Sequence, residues 1–446
     1  DGGKTWKNVA DRLNGVPEYT YVTRIIASHF DEGTAYATLD GHRNDDFKPY
    51  IFVTTDHGDN WKNISGNIPI GSTVNVIREH HANPDLLFVG TERGAYFSLN
   101  RGNSWIRIKG NFPMVPVDDI AIHPRENDLI LGTHGRSIWI LDDITMLEQL
   151  TSEVQNAEMF LFDTQEATQL RLFYHKGNTG HKIYIAPNPP YGAIFSYYLK
   201  QKAKRAPVIL ITDENDQKII EIKGPKNAGV NRTNWNLRYG APDIPDLGRT
   251  ARGRGPLVLP GQYNVTLKVG ELEMTNVLHV ADDPRIEISS ADRKAQHDAL
   301  IDLHYLNPYA AAAAKATDDM NKQLDNVQKT LKKVSDVPED ITEHIKTMSG
   351  DLKEIKIKLS GDPSLGSRGR RSSVQGVLSM LGNAIGGYSE APSSRQLQRI
   401  EDTRNELKTL IERINKITQS DIPRLNELLI ANDIPHVFPV KIIKFK

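Results

Sequence analysis

The feature that most constrains this chain is one short turn written three times. Leu87–Trp105, LFVGTERGAYFSLNRGNSW, reads as two alternating strands around a Glu92-Arg93-Gly94 turn. It closes on Ser98-Leu-Asn100-Arg-Gly102-Asn-Ser104-Trp105. The same pattern, Ser/Thr-x-Asp/Asn-x-Gly-x-Ser/Thr-Trp, recurs with variation at Thr54-Thr-Asp56-His-Gly58-Asp-Asn60-Trp61 and at Asp1-Gly-Gly3-Lys-Thr5-Trp6. Its physics is local. Short oxygen-bearing side chains bond nearby backbone N–H groups, glycine takes positive φ, and tryptophan packs under the next strand.

The three tryptophans, Trp6, Trp61 and Trp105, stand 55 and 44 residues apart, the scale of one four-stranded unit. A polar insert, His42–Pro49, lengthens the first interval. Each unit opens on an alternating strand (Val22–Ala27, Val74–Arg78, Asp119–Ile122) and passes a turn such as Asn83-Pro84-Asp85 or Glu126-Asn-Asp128. The third unit, Ile130–Asp142, carries no closing box. Residues 1–147 are therefore expected to be Asp-box blades of a β-propeller. The box residues Asp1, Gly3, Thr5, Trp6, Asp56, Gly58, Trp61, Ser98, Asn100, Gly102, Ser104 and Trp105 brace hairpins and carry no chemistry. Propellers usually have about four to eight blades. Three make a partial propeller, with the others expected upstream or on another chain. A start at Asp1, inside a motif, suggests that a targeting segment also lies upstream.

Residues 148–156 read as a linker. From 157 to 282 the pattern becomes spaced strands: Ile183–Ala186, Ala193–Leu199, Val208–Asp213, Ile219–Ile222, Gly229–Leu237 and Tyr263–Val269. Turn-rich separators between them point to an immunoglobulin- or fibronectin-like β-sandwich. From 285 to 436 leucine and isoleucine fall at helical spacing, which predicts a helical hairpin or bundle. Ser289–Asp292 opens it, Asn307-Pro308 should end or kink the first helix, and Pro338 begins a second that runs to Leu359. Residues 361–373 read as a flexible connector before a short helix, Val374–Ile385. Ser393-Ser-Arg-Gln396 is a capping box leading into an apolar stripe, Leu397–Ile417. The tail, 437–446, alternates weakly like an edge strand. The fold class is multidomain, mainly β and then α.

Composition excludes more than it selects. The chain has 446 residues, a net charge of -1 and no cysteine. Near-neutrality argues against bulk binding to nucleic acid or an anionic membrane surface. No thiolate site exists, and no apolar run approaches the roughly 20 residues of a membrane helix. Nucleotide-loop, zinc-protease and nucleophile-elbow motifs are absent, so no cofactor and no metal is expected. His80-His81 ends a strand, where alternation should send the rings apart.

Strand parity locates a candidate binding face. The box turn joins the third and fourth strands of a unit, so the turn between the second and third lies at the opposite end. Asp40, His42 and Arg43, then Glu92 and Arg93, then His134 and Arg136 are thereby expected at one end of the sheets. Arginine forks pair bidentately with oxyanions, so such a cluster suits a carboxylate, sulfate or sugar. Polar β-turns are also simply solvated, and that reading stands beside the functional one. Glycoside hydrolysis requires two carboxylates about 5–9.5 Å apart. Asp118, Asp119, Asp40 and Glu92 are the only candidates, and the adjacent Asp118 and Asp119 point to opposite faces. The basic glycine loops Gly248–Gly255 and Ser367–Arg371 lack interleaved aromatics and read as solvated.

Several further stretches carry a resemblance: Gly132–Asp142, Asn188-Pro-Pro-Tyr-Gly-Ala193, Tyr197-Tyr-Leu199, Asn231–Arg238, Leu259-Pro-Gly-Gln-Tyr263 and Asp283-Pro-Arg285. With the Asp boxes, they make the chain resemble the C-terminal part of a bacterial BNR/Asp-box repeat family, labelled glycosyl hydrolase or sortilin N-terminal-domain-like. That resemblance implies a large extracytoplasmic protein, periplasmic, cell-surface or secreted, with a propeller, an Ig-like domain and helices. Sialidases, xyloglucanases and sortilin-type receptors share Asp boxes, so the label fixes no reaction, and no catalytic residue carries over. The expected function is a binding or scaffold module recognising a protein, peptide or glycan. The alternative is a glycoside hydrolase whose carboxylates lie mostly in upstream blades. A third reading makes the Leu397–Ile417 stripe the docking element of a surface complex.

Overall fold

The computed structural model of the chain describes residues 3–172, 180, 184–242, 255–334, 336–435, 437 and 440–445. Asp1, Ile183 and residues 248–254 of the basic loop lie outside them. Three antiparallel meanders come first. They are β1 (Tyr21–Ala27), β2 (Ala35–Gly41), β3 (Asp46–Thr54) and β4 (Lys62–Asn63), then β5 (Val74–Glu79), β6 (Leu87–Thr91), β7 (Gly94–Ser98) and β8 (Ile106–Arg107), then β9 (Val117–Ile122), β10 (Leu129–Thr133) and β11 (Ile138–Leu141).

The turns after β3 and β7 share one hydrogen-bond scheme. Thr54 Oγ1 and Ser98 Oγ accept from Gly58 N and Gly102 N at 2.9 and 2.8 Å. Asp56 Oδ1 and Asn100 Oδ1 accept from Asn60 N and Ser104 N at 2.8 and 2.9 Å. Gly58 and Gly102 sit at φ 86° and 83°, which only glycine adopts without strain. Trp105 is buried and donates to Ile64 O at 2.8 Å, so it packs on the preceding sheet and not under the next strand. Trp6 is 91% exposed, contrary to the packing expected of it, since no sheet precedes it among the described residues.

The sheets pack face to face. Tyr36, Ile51, Val74, Ile77, Val89 and Trp105 fill the first gap. Val76, Phe88, Ala95, Val117, Ile120 and Leu131 fill the second. Gly90 is required there, because a Cβ on it would stand 2.6 Å from Val117 O. Aligned on the strand bulges described below, Val74 and Ile77 of β5 and Val117 and Ile120 of β9 are fully buried by the sheet before them. Their counterparts on β1, Val22 and Ile25, are 44% and 64% exposed. At the other end of the stack, Ile138 and Ile140 of β11 are exposed, and among the described residues no fourth strand lies beside β11.

Residues 148–156 are more ordered than a linker: α1 (Thr145–Gln149) and α2 (Ser152–Asn156) are single turns. Two sheets follow around one core. The first holds β12 (Met159–Leu161), β14 (Ala193–Leu199) and β17 (Gly229–Trp235); the second holds β13 (Ala167–Thr168), β15 (Val208–Thr212), β16 (Lys218–Lys223), β18 (Gly261–Val269) and β19 (Leu272–Ala281). Phe195, Tyr197 and Trp235 of one meet Ile209, Val265 and Leu278 of the other. Tyr184–Ala186, read as strand, is not one. The unforeseen β19 pairs β18 along its length across a two-residue Gly270-Glu271 turn, with Gly270 at φ 64°.

The helical region holds α3 (Ser290–Leu331), α4 (Glu339–Ser360), α5 (Gly366–Ser372), α6 (Val374–Gly387), α7 (Ser394–Lys416) and α8 (Ile422–Ile430), with a π turn at Ile417–Asp421. Pro308 does not end α3. The ring removes the backbone donor to His304 O, Asn307 Nδ2 donates to the preceding carbonyl, Leu303 O, at 2.8 Å, and Tyr309, Ala310 and Ala313 are buried around the proline. Residues 361–373 are not a flexible connector, and Ser367–Arg371 lies within helix α5. Ser393 and Gln396 form the capping box. The stripe after it is turned inward: Ile400, Leu407, Ile411, Ile414 and Ile417 are all buried in this chain's own core, and only Leu397 is exposed. That removes the motive for docking through it. Among the described residues the tail forms no strand; Ile443 N instead donates to Asn415 Oδ1. No helix among them is long and apolar enough to cross a membrane.

Two measurements check this packing. Leu407→Ala should cost about 2–5 kcal/mol in a denaturant titration, whereas Leu397→Ala should stay within about 0.5 kcal/mol. The second concerns acid. The Asn60 side chain and backbone hold the Asp56 carboxyl down at about 2. Its contribution is complete above about pH 4, the unfolded value, and is lost as pH falls towards 2. Asp56→Asn, the amide that Asn100 already supplies in the second turn, should leave neutral-pH stability nearly unchanged and flatten its loss between those values.

Candidate functional site

β1, β5 and β9 each form the edge of their own sheet, and each carries a bulge at the same place: Thr23, Asn75 and Asp118. A bulge re-aims the extra side chain, here towards the next sheet. Thr23 Oγ1 donates to Val74 O at 2.9 Å, and Asn75 Nδ2 lies 3.4 Å from Val117 O. Asp118 has no further sheet to reach and faces His134 Nδ1 at 3.3 Å.

One residue beyond the third bulge, Asp119 Oδ1 accepts from Arg24 Nη2 at 2.9 Å and from Arg78 Nη2 at 3.3 Å. Arg78 Nε also donates to Ile120 O at 2.7 Å. A single carboxylate thus ties the edge strands of all three sheets. Neither arginine stood among the residues expected from sequence. The available signal was the polar residue after valine, repeated at the same place in Val22-Thr23, Val74-Asn75 and Val117-Asp118.

Of the seven turn residues, His42 and Arg43 fall between β2 and β3, Glu92 and Arg93 between β6 and β7, and His134 and Arg136 between β10 and β11, while Asp40 is still within β2. Most are engaged locally. Buried Asp40 accepts from His42 N at 2.9 Å and pairs with His42 Nδ1. Arg43 lies 5.5 Å above the Tyr21 ring. Glu92 accepts from Asn75 Nδ2 at 3.1 Å. The Arg93 carbonyl accepts from Arg107, and the Arg136 carbonyl from Trp139 Nε1. Among the described residues, no hydrogen bond or ion pair joins one of these turns to the next. The structure assembles the Arg24–Asp119–Arg78 group and leaves the turns as separate polar tips around it.

His80 and His81 do not diverge. The strand ends at Glu79, and the two rings stack with centroids 4.5 Å apart. They make no metal pair: His80 Nε2 meets Asn127 Oδ1 at 3.0 Å and Glu148 Oε1 at 3.1 Å, and Nδ1 accepts from Ala82 N. Among the described residues no group of three or more His, Asp and Glu is placed to hold a metal. Burial, then the charge of Asp128, raises the Asp142 carboxyl above the usual range. It lies in a cavity of about 360 Å³ where the third sheet meets the sandwich. Arg232 closes that junction on the Asp142 and Asp143 carbonyls.

Arg78→Ala should therefore cost about 1–3 kcal/mol in urea, because it removes a charged donor from Ile120 O at a sheet interface. Asp119→Asn at the same cluster should stay within about 1 kcal/mol, as half-exposed ion pairs do.

No protein-family model and no curated protein matches the chain. Several solved structures resemble it distantly, three of them as follows. The extracellular domain of a putative one component system from B. thetaiotaomicron is 9% identical, with a TM-score of 0.21, covering 58% of this chain and 31% of that one. An ancestral GH74 enzyme is 13% identical, with a TM-score of 0.22, covering 57% and 31%. An alpha-2-macroglobulin from Salmonella is 13% identical, with a TM-score of 0.16, covering 56% and 14%. The chain thus spans about a third or less of the length of each. Likeness at this level transfers no residue and no activity.

Proposed function

We propose that the three meanders are consecutive propeller blades of an extracytoplasmic binding or scaffold protein, and that it recognises a protein, peptide or glycan at the end bearing Arg43, Arg93 and Arg136. The observation that carries this reading is the repeated edge geometry. Equivalent bulges recur at Thr23, Asn75 and Asp118, and Asp119 ties the three edge strands through Arg24 and Arg78, which supports sheets in a common register with their polar turns at one end. The exposed Val22 and Ile25 at one end of the stack and Ile138 and Ile140 at the other suit further blades of the same kind. Tyr263 Oη donates to Leu259 O at 2.6 Å, a link of the sort that closes a strand corner in immunoglobulin-like sandwiches. The extracytoplasmic setting rests on the resemblance of the motifs.

Hydrolysis of a glycoside needs a protonated carboxyl facing a second carboxylate. Asp119 is instead held by two guanidinium groups and Asp118 by His134, so binding is the reading adopted. Glycan and peptide arrays probed with the chain test it. Arg43→Ala combined with Arg93→Ala and Arg136→Ala should lower retention on the best-bound features at least tenfold. Asn60→Ala at the opposite end should leave it unchanged. Equal retention by both variants would sink the proposal.

A further inference from the structure

One repeat unit is divided between the two ends of the three-sheet stack. The first box runs into Trp6-Lys7-Asn8-Val9, which repeats Trp61-Lys62-Asn63-Ile64. In the later copy Lys62 and Asn63 form the fourth strand of a sheet, paired with Val53 and Phe52 of β3. In the earlier copy no third strand lies beside Lys7 and Asn8 among the described residues. The sheet of β9, β10 and β11 has the opposite defect. It has three strands, no box after the third, and no fourth strand among the described residues.

The register identifies the backbone atoms concerned. Ile64 N donates to Ile51 O at 2.8 Å, and Ile108 N donates to Ala95 O at 2.9 Å, closing the first two sheets. Ala95 stands opposite Gly90 as Ile138 stands opposite Gly132. Ile138 O is therefore the third acceptor of this kind, and it receives no such bond among the described residues. Val9, the counterpart of Ile64 and Ile108, has an N–H with no acceptor among them. Open strand edges of this sort are templates for pairing with another chain.

The seat of the box tryptophan is repeated as well. Ile64-Ser65-Gly66-Asn67-Ile68-Pro69 recurs as Ile108-Lys109-Gly110-Asn111-Phe112-Pro113. The first of these grips Trp105: Ile64 O accepts from its Nε1 at 2.8 Å and Asn67 Oδ1 from its N at 2.7 Å, while Asn67 Nδ2 donates to its O at 2.9 Å. The second precedes a sheet that carries no box, so its own unit brings it no tryptophan. Asn111 is exposed and makes no hydrogen bond among the described residues. Trp6, meanwhile, is 91% exposed where Trp105 is 3% exposed.

A chain that joined its own two ends would make a ring of three sheets, below the usual range of about four to eight. Two chains make six. We propose that a second copy of this chain completes the unit, Trp6–Val9 of each copy closing the β9–β11 sheet of the other. Val9 N then donates to Ile138 O, and the Trp6 indole donates to Ile108 O. The exposed Val22 and Ile25 of one copy cover Ile138 and Ile140 of the other. Both joints are identical, so the pair closes on itself and leaves no end from which a filament could grow. The proposal rests on the propeller reading above and names a source for the further blades.

The test is sedimentation velocity of the chain at micromolar concentration, where the main species should have twice the mass of one chain. Trp6→Ala removes an exposed side chain, so the fold should survive while the pairing weakens at least tenfold, as loss of a central aromatic does. Ile140→Asp should do the same from the receiving side. Ile430→Ala, at a comparably exposed position on α8, should leave the pairing unchanged. Mixing Trp6→Ala chains with Ile140→Asp chains should associate more tightly than either alone, because each mixed pair keeps one joint intact. A single-chain mass throughout, unchanged pairing in Trp6→Ala, or a mixture no tighter than its parts would overturn the proposal. A single-chain species whose array retention still falls in the triple turn variant would overturn it too, while leaving the binding reading in place.

Discussion

Each of the first three sheets must bury two broad faces, and the demand is sharpest at the inner edge, where β1, β5 and β9 converge. There one backbone approaches another too closely for a side chain, which is why Gly90 faces Val117 O. The bulges at Thr23, Asn75 and Asp118 relieve the crowding and turn a polar group onto the neighbouring strand, so the edges bond across sheets as well as within them.

What the sequence made legible was what short-range physics dictates. The box turns close on their own side chains, so Thr54–Trp61 and Ser98–Trp105 could be read without knowing what surrounds them. The edge contacts were not legible, because Arg24, Arg78 and Asp119 meet only after three separate sheets have stacked. A turn-based argument found the polar tips and missed the group between them.

Further along, errors came from reading residues by their usual meaning. Pro308 normally breaks a helix, but here it and the buried Tyr309, Ala310 and Ala313 around it pack into the helical core and α3 continues. Gly361 and Gly369 looked like flexibility. A Cβ on Gly369 would lie 2.3 Å from Asp362 O, so that glycine serves close packing. β19 alternates between a core face and an exposed face lined with Glu273, Thr275 and His279, the ordinary pattern of a half-buried strand, and was simply missed; its pairing with β18 is announced by Gly270-Glu271. The amphipathic α7 was read correctly as a helix, but its stripe was offered to a partner when the chain itself covers it.

One short pairing governs how the two halves of the molecule would answer a mechanical load. β13 runs parallel to β19, Ala167 beside Val280 and Thr168 beside Ala281. Beyond it, Gln169 N donates to Ala281 O, Arg171 N to Asp283 Oδ2 and Arg285 Nη2 to Arg171 O. The chain reaches β13 from the three sheets by way of α1, α2 and β12, and leaves β19 towards α3. Tension between those two parts therefore pulls the paired strands from opposite ends. Parallel strands loaded in this way slide along their axes, so the links share the force instead of opening one after another. The junction is built as a shear joint, and the helical region is held to the rest of the molecule by a contact suited to bearing tension.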